Sequence, residues 1–397
     1  MTSAPFAPRR LLATTAAGCE SLLLEELREL GLDVSQTPGG AAELPFDWDA
    51  AAIVLVRSRI ASRLFLALHE FRAEHAAMLY DEARTVPWTQ LMTARHTLAV
   101  EVLGSPPQAD FSRQFAALKV KDAVCDAFRD EQDQRPSVDR QAPDVQLVAF
   151  FHHGRCELSL DLAGEPLHRR GYREEGAAAP IRENRAAALL RFAGYDPARP
   201  FCDPFCGSGT LAIEAALIAT RRAPGLLRGL RGYAASKLFP EGKAAIEAEL
   251  ARAKRDVRDT PPAPILASDL DGRTVDIARR NAAKAGVAGA IRFAVADARA
   301  VTQPGALIAA NPPYGERLAN PEAARALIDA FTRGLKHGSP DSRLALVLPK
   351  GPLETAVGMR PSRKLSVHNG DVELRYLVYD IYAGSRKGAE RTPAGTP

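Results

Sequence analysis

Phe201-Cys202-Asp203-Pro204-Phe205-Cys206-Gly207-Ser208-Gly209-Thr210 ends a short apolar run on an acid, turns on two glycines and opens into the apolar segment 211–220. Strand, glycine turn, helix is the first unit of a doubly wound α/β sheet, in which missing Cβ atoms let backbone approach a ligand closely. The turn lacks the Gly-Lys-Ser/Thr ending of a phosphate-binding loop. An acid at the strand end suits a ligand with a cationic amino group, such as the methionyl part of S-adenosylmethionine. An ordinary glycine turn closing a strand has the same letters, so the surroundings must decide.

Downstream, short apolar runs recur at 201–202, 265–267, 291–295, 307–310 and 344–348, with helical segments between them. That alternation predicts a parallel sheet wrapped by helices. Segments 364–367 and 372–381 flank Asn369-Gly370, a strong hairpin signal. A parallel sheet closed by an antiparallel hairpin predicts a class I, Rossmann-like methyltransferase domain of seven strands.

Three further motifs stand at strand ends. In Ser268-Asp269-Leu270-Asp271, Asp269 can accept from ribose hydroxyls, although it also suits a helix cap and Asp271 competes for the role. Far more than the roughly 20 residues of a minimal unit separate it from Asp203, so an insertion at about 221–262 is expected. Asp297, in Ala296-Asp297-Ala298, is placed to meet an adenine amine, or is a surface loop acid. After the fourth strand comes Asn311-Pro312-Pro313-Tyr314. Successive prolines hold φ near −65° and keep the preceding residues extended. The Asn311 side-chain oxygen and the Pro312 carbonyl can then both accept from one planar NH₂ group, with Tyr314 stacked on its ring. Cytosine C5 methylation is excluded, because it needs a thiolate and this loop has no cysteine.

The half before about residue 165 has another texture. An amphipathic segment at 18–30, a stripe of Ala117, Val120, Val124 and Phe128, and β-type runs at 145–151 and 156–162 predict mixed α+β structure. The chain has 397 residues, too many for one ordinary core, and a net charge of +4, compatible with an anionic partner. Five scattered cysteines fit reduced thiols in a cytoplasm, and no spacing suggests a metal site. Neither a secretory leader nor a membrane span is expected. The tail 383–397 has a disordered composition.

Arg221, Arg222, Arg228 and Arg231 lie in a stretch without acids, interleaved with glycines and Tyr233. This predicts a flexible basic flap able to meet phosphates, or else a solvated basic loop. Arg169, Arg170 and Arg173 form a second basic-aromatic cluster with Tyr172 in a plausible linker.

Lys119-Val120-Lys121-Asp122-Ala123, Pro136-Ser137-Val138-Asp139-Arg140, Leu160-Asp161-Leu162-Ala163-Gly164, Leu167-His168-Arg169-Arg170-Gly171-Tyr172-Arg173, Ala179-Pro180-Ile181, the Asp203 loop, Arg222-Ala223-Pro224-Gly225 and the run 311–318 together resemble the THUMP-domain 23S ribosomal RNA guanine-N2 methyltransferases. The resemblance covers roughly residues 10–381. It implies a ferredoxin-like segment at 1–55, continued by part of 155–175, a THUMP RNA-binding domain at 56–165 and a catalytic domain at 166–382. Carried over by motif, Asp203, Pro204, Cys206, Gly207 and Gly209 would hold the donor's methionyl end, Asp269 its ribose and Asp297 its adenine. Asn311, Pro312, Pro313 and Tyr314 would hold a guanine amine. Lys119, Lys121 and Arg140 join the two basic clusters as RNA contacts.

The implied activity is methyl transfer from S-adenosylmethionine to guanine N2 in 23S ribosomal RNA, in the cytoplasm, without a metal or an obligate protein partner. Some members continue into a second methyltransferase domain, so a chain ending at Pro397 is expected to carry the N2 activity alone. Two rival readings remain: a transfer-RNA guanine-N2 methyltransferase, and a non-enzymatic ribosome-assembly factor keeping the fold. DNA adenine and protein glutamine methyltransferases share the Asn-Pro-Pro-Tyr motif, so it identifies a planar amine and not guanine.

Overall fold

The computed structural model describes residues 10–107, 111–173, 181–313, 320–369 and 372–382. The chain makes two compact units. One takes the chain up to Thr15, Glu20–Arg170 and Ala223–Asp256; the other takes Ala16–Cys19, Gly171–Arg222 and the chain from Val257 onward.

The first unit begins with β1 (Arg10–Thr14), α1 (Glu20–Glu29), β2 (Ser35–Gln36), β3 (Ala42–Pro45), α2 (Trp48–Arg57) and β4 (Arg63–Arg72). It continues through α3 (Ala76–Arg84), α4 (Trp88–Leu91), β5 (Leu98–Gly104), α5 (Arg113–Gln132), β6 (Val145–His152) and β7 (Arg155–Asp161). The strands form one sheet, β2-β3-β1-β4-β7-β6-β5, antiparallel except for β5 beside β6. α5 starts where the Ser112 hydroxyl accepts from Phe115 N and stops at Asp133 in the left-handed region. The predicted stripe is buried at Val120, Val124 and Phe128, while Ala117 stays half-buried.

The second unit opens with α6 (Glu183–Phe192), β8 (Phe201–Asp203) and α7 (Thr210–Ala219). The chain then returns to the first unit as α8 (Gly225–Arg228), α9 (Ala234–Leu238) and α10 (Pro240–Arg255). The stretch expected to be a flexible basic flap or a solvated loop is instead helical over much of its length. α10 lies along α2, and Arg57 pairs with Glu249 and, at 2.8 Å, with Asp256. Tyr233 is fully buried, its hydroxyl donating to Leu55 O at 3.1 Å. Arg228 donates to the carbonyls of Ala163, Pro166 and Gly232. Burial of such groups is stable only with partners, and distant backbone supplies them here.

The second unit resumes with β9 (Ile265–Asp269), α11 (Gly272–Lys284), β10 (Ile291–Val295), β11 (Leu307–Ala310) and α12 (Pro321–Gly338). It closes with β12 (Arg343–Pro349), α13 (Pro352–Ala356), β13 (Arg363–Asn369) and β14 (Val372–Asp380). Its sheet runs β10-β9-β8-β11-β12-β14-β13, with β8 to β12 parallel and β14 antiparallel to both neighbours. This is the predicted seven-stranded α/β sheet. β8 and β11 are buried along their whole length, as expected of strands covered on both faces. The turn residues 370 and 371, and the tail from 383, lie outside the described residues.

Candidate active site

Four motif-bearing strands stand side by side as β10, β9, β8 and β11, and all four motifs follow their carboxyl ends. β9 and β10 lie on one side of β8 and β11 on the other, so chain direction diverges at the crevice where doubly wound sheets bind ligands. Ile308 lies opposite Cys202, placing the Asn311 and Asp203 ends on neighbouring strands.

Asp203 is 1% exposed. One carboxylate oxygen accepts from Phe205 N at 3.3 Å; the other is buried with no hydrogen-bond partner among the described residues. Burial pushes its pKa well above the usual carboxylate range, and the nearby charge of Asp269 adds to the rise, against hydrogen bonds from the backbone of Phe205 and Ala212. A cationic ligand donor would satisfy that oxygen.

The glycine loop is tied down on both flanks. Asp269 accepts from Gly207 N at 3.0 Å and from Asp271 N at 3.1 Å, and Cys206 N donates to Ser268 O at 2.9 Å. Asp271, the rival of Asp269, instead caps α11 by accepting from Arg273 N. On the far side Asn281, 1% exposed, donates from Nδ2 to Ser208 O at 2.9 Å. Sequence reading missed Asn281. Its signal is a polar residue among Val275, Ala278 and Ala282 on the buried face of α11. Gly209 enters α7 with φ +90°, and a Cβ there would meet Ala278 Cβ at 3.0 Å, so only glycine fits without strain. Cys206 is buried, which raises its thiol pKa far above the ordinary value.

Asp297 differs. Both its oxygens accept from the Arg299 guanidinium, and one also accepts from Arg299 N at 2.9 Å. These hydrogen bonds hold its pKa below the usual range.

At the end of β11, Pro312 is buried and Asn311 half-buried. Asn311 Oδ1 is itself buried, with no partner among the described residues. Tyr314 lies outside the described residues. The site thus presents two unsatisfied acceptors, a carboxyl oxygen on Asp203 and an amide oxygen on Asn311, from adjacent strands. That donor-hungry pair fits a ligand amino group and a planar amine.

The residues expected to touch RNA separate into two sets. Arg140, Arg169, Arg221 and Arg231 are exposed, and Lys121, Lys119 and Arg222 half-buried. Lys119 Nζ stands 5.4 Å from the Phe115 ring centroid. Arg170 is 1% exposed and donates to the carbonyls of Leu167 and Arg59. Arg170 and Arg228 are therefore corrected to internal braces. Arg173 is also engaged internally, by Glu183, Ile181 O and Thr210. Among the described residues no cluster of His, Cys, Asp or Glu could hold a metal ion, and no helix is long and apolar enough to cross a membrane.

Residues 170–377 match the RMKL-like methyltransferase domain family. The chain belongs to this methyltransferase family. The preceding part matches a THUMP domain at 73–161 and the RlmL ferredoxin-like domain at 10–65. The chain is 39% identical to the Ribosomal RNA large subunit methyltransferase K/L of Syntrophotalea carbinolica, over 98% of this chain and 56% of that protein. It thus spans little more than half the length of that relative. A solved structure of a possible methylase from Clostridium difficile 630 is 26% identical, with a TM-score of 0.84, covering 95% of this chain and 99% of the other. The methyltransferase SMU.472, solved in complex with SAH, has a TM-score of 0.84 at 25% identity over 96% of this chain and 99% of its own. Members of this methyltransferase family use S-adenosylmethionine.

Proposed function

We propose that this methyltransferase transfers a methyl group from S-adenosylmethionine to the exocyclic N2 amine of a guanine in 23S ribosomal RNA. The observation that carries amine methylation is Asn311 Oδ1 at the end of β11, buried with no hydrogen-bond partner among the described residues. A planar NH₂ group donating to Asn311 Oδ1 and to the Pro312 carbonyl is held with its nitrogen lone pair aimed out of the ring plane. S-adenosylmethionine supplies an electrophilic methyl group on a sulfonium. The nitrogen lone pair forms the new C–N bond as the C–S bond breaks toward sulfur, and the amine proton leaves to water. Orientation supplies most of the rate, since no covalent intermediate is required. Asp203 takes the donor's ammonium, Gly207 and Gly209 admit its methionyl end, and Asp269 meets the ribose. The sequence motif assigns stacking on the base to Tyr314.

A large-subunit ribosomal RNA substrate is supported by the relative's name, and RNA binding by the THUMP match; guanine as the base rests on the resemblance of the sequence motifs. A groove in the first unit supports an RNA substrate: about 460 Å³, lined by three cations, Arg113, Lys121 and Arg140, and one acid, Glu101, with Gln114 and Gln146, between α5 and the edge strand β5. Such cations meet phosphates, while Leu118 and Val138 at the same groove offer an apolar surface to a base. Methyl transfer to naked 23S fragments, compared with transfer RNA, tests the assignment. Labelling of 23S fragments that disappears in Asn311→Ala is expected; labelling of transfer RNA alone overturns the ribosomal substrate.

A further inference from the structure

Two consecutive residues read from the sequence as an RNA-contacting linker grip the start of α7. Tyr172, 1% exposed, donates from its hydroxyl to Glu214 Oε1 at 3.3 Å, and Glu214 is fully buried on α7. Arg173 donates from Nε to Glu183 Oε1 at 3.1 Å, and from Nη2 to Ile181 O at 3.2 Å and to Thr210 Oγ1 at 3.3 Å. Glu183 is the first residue of α6 and is 4% exposed; Thr210 is the first residue of α7 and follows Gly209 directly. A single guanidinium therefore joins three chain segments at the point where the glycine loop becomes helix. Asp269 and Asn281 fix that loop at Gly207 and Ser208. Arg173 fixes its third point.

We propose that Arg173 is a positioning residue for the methyl donor, acting through Thr210 and Glu183, and not a ligand of RNA. The guanidinium spends its fork on fixed acceptors, Glu183 among them, in a cluster of mostly buried side chains. A hydrogen bond from a charged group to the first side chain of α7 sets where the helix begins. It thereby sets the Gly207–Gly209 backbone that the donor's methionyl end must approach. An arginine held for phosphate contact would instead present its donors to solvent, as exposed Arg169 does. The inference rests on the donor-site reading of the loop 203–209.

The test uses the full chain and compares Arg173→Ala, Arg173→Lys and Thr210→Val, with Asp203→Asn as control. Three quantities are measured: S-adenosylmethionine binding by calorimetry, affinity for a 23S fragment over a salt series, and melting temperature. Arg173→Ala should weaken donor binding about tenfold, the scale of one lost charge-assisted hydrogen bond, leaving RNA affinity and its salt slope unchanged. Arg173→Lys should recover part of the loss. Thr210→Val, which keeps the arginine and nearly the same shape, should weaken the donor about threefold and report even if Arg173→Ala does not fold. Reduced RNA affinity with a shallower salt slope and unchanged donor binding would make Arg173 an RNA contact and overturn the proposal. A lower melting temperature with both affinities intact would reduce it to a fold brace and also overturn it. If Asp203→Asn leaves donor binding intact, the donor-site reading fails, and not the role of Arg173 alone.

Discussion

Asp203 at the end of β8 and Asp297 just beyond the end of β10 look alike in the sequence, each an acid after a short apolar run, yet the fold gives them opposite chemistry. Asp203 is buried, with one oxygen lacking a partner among the described residues, and has a raised pKa; Asp297 is gripped by Arg299, with a lowered one. β8 is a central strand covered on both faces, whereas β10 is the edge strand of its sheet and carries exposed residues. A carboxylate at a central strand end loses its water and needs a ligand, while one at an edge finds a neighbouring cation and stays satisfied.

The largest effect expected from breaking this contrast is at Asp203. Asp203→Asn removes the acceptor charge with almost no change of shape. Calorimetry should show S-adenosylmethionine affinity falling about 100-fold, the scale of leaving a buried charge partner unmatched. The same change should raise the melting temperature of the free protein at neutral pH, because ionising a buried carboxyl costs stability that an amide does not. Lower stability together with intact binding would place the donor elsewhere.

Asn311→Ala comes next. It should lower the methyl-transfer rate about 100-fold, the scale of losing one preorganised polar group, while donor affinity changes less than about twofold. A matching loss of donor affinity would mean that Asn311 belongs to the donor site.

A smaller effect separates the acids by pH. The folded pKa of Asp203 is raised, so its protonated form favours the fold. That contribution is complete below the ordinary carboxylate pKa and is lost as pH rises through the elevated one. Free-protein stability should therefore decline across that window while donor binding strengthens, and Asp203→Asn should flatten both trends. Asp297, with a lowered pKa, contributes above the ordinary range and loses its effect as pH falls.

The smallest effect belongs to Arg299→Ala, which frees Asp297 at an exposed site. Melting temperature should barely move, as for most exposed ion pairs. A several-fold change in donor affinity would show that Asp297 meets the adenine; an unchanged value would leave it a loop acid.

Much of the second unit was legible from local pattern. Strand runs at 291–295 and 307–310 coincide with β10 and β11, and the antiparallel closing pair 364–367 and 372–381 appears as β13 and β14. Strand periodicity and proline restriction act over a few residues, so short stretches of sequence carry them. Asn281 was illegible as a loop support, because its partner Ser208 O is 73 positions away in sequence. Arg228 looked like a free cation for the same reason: its acceptors are backbone carbonyls, as far off as Ala163.

The sequence by itself determined the order of strands and helices, the residues at the strand ends and the rigid Asn-Pro-Pro backbone, all consequences of local sterics and side-chain type. Only tertiary structure decided which of those groups would be left wanting a partner. It buried one carboxylate oxygen of Asp203 and the amide oxygen of Asn311 with no donor among the described residues, satisfied Asp297 with Arg299, and turned Arg170, Arg173 and Arg228 inward. The physical reason is that burial and hydrogen-bond satisfaction depend on contacts between distant segments, and those exist only once the sheet has formed.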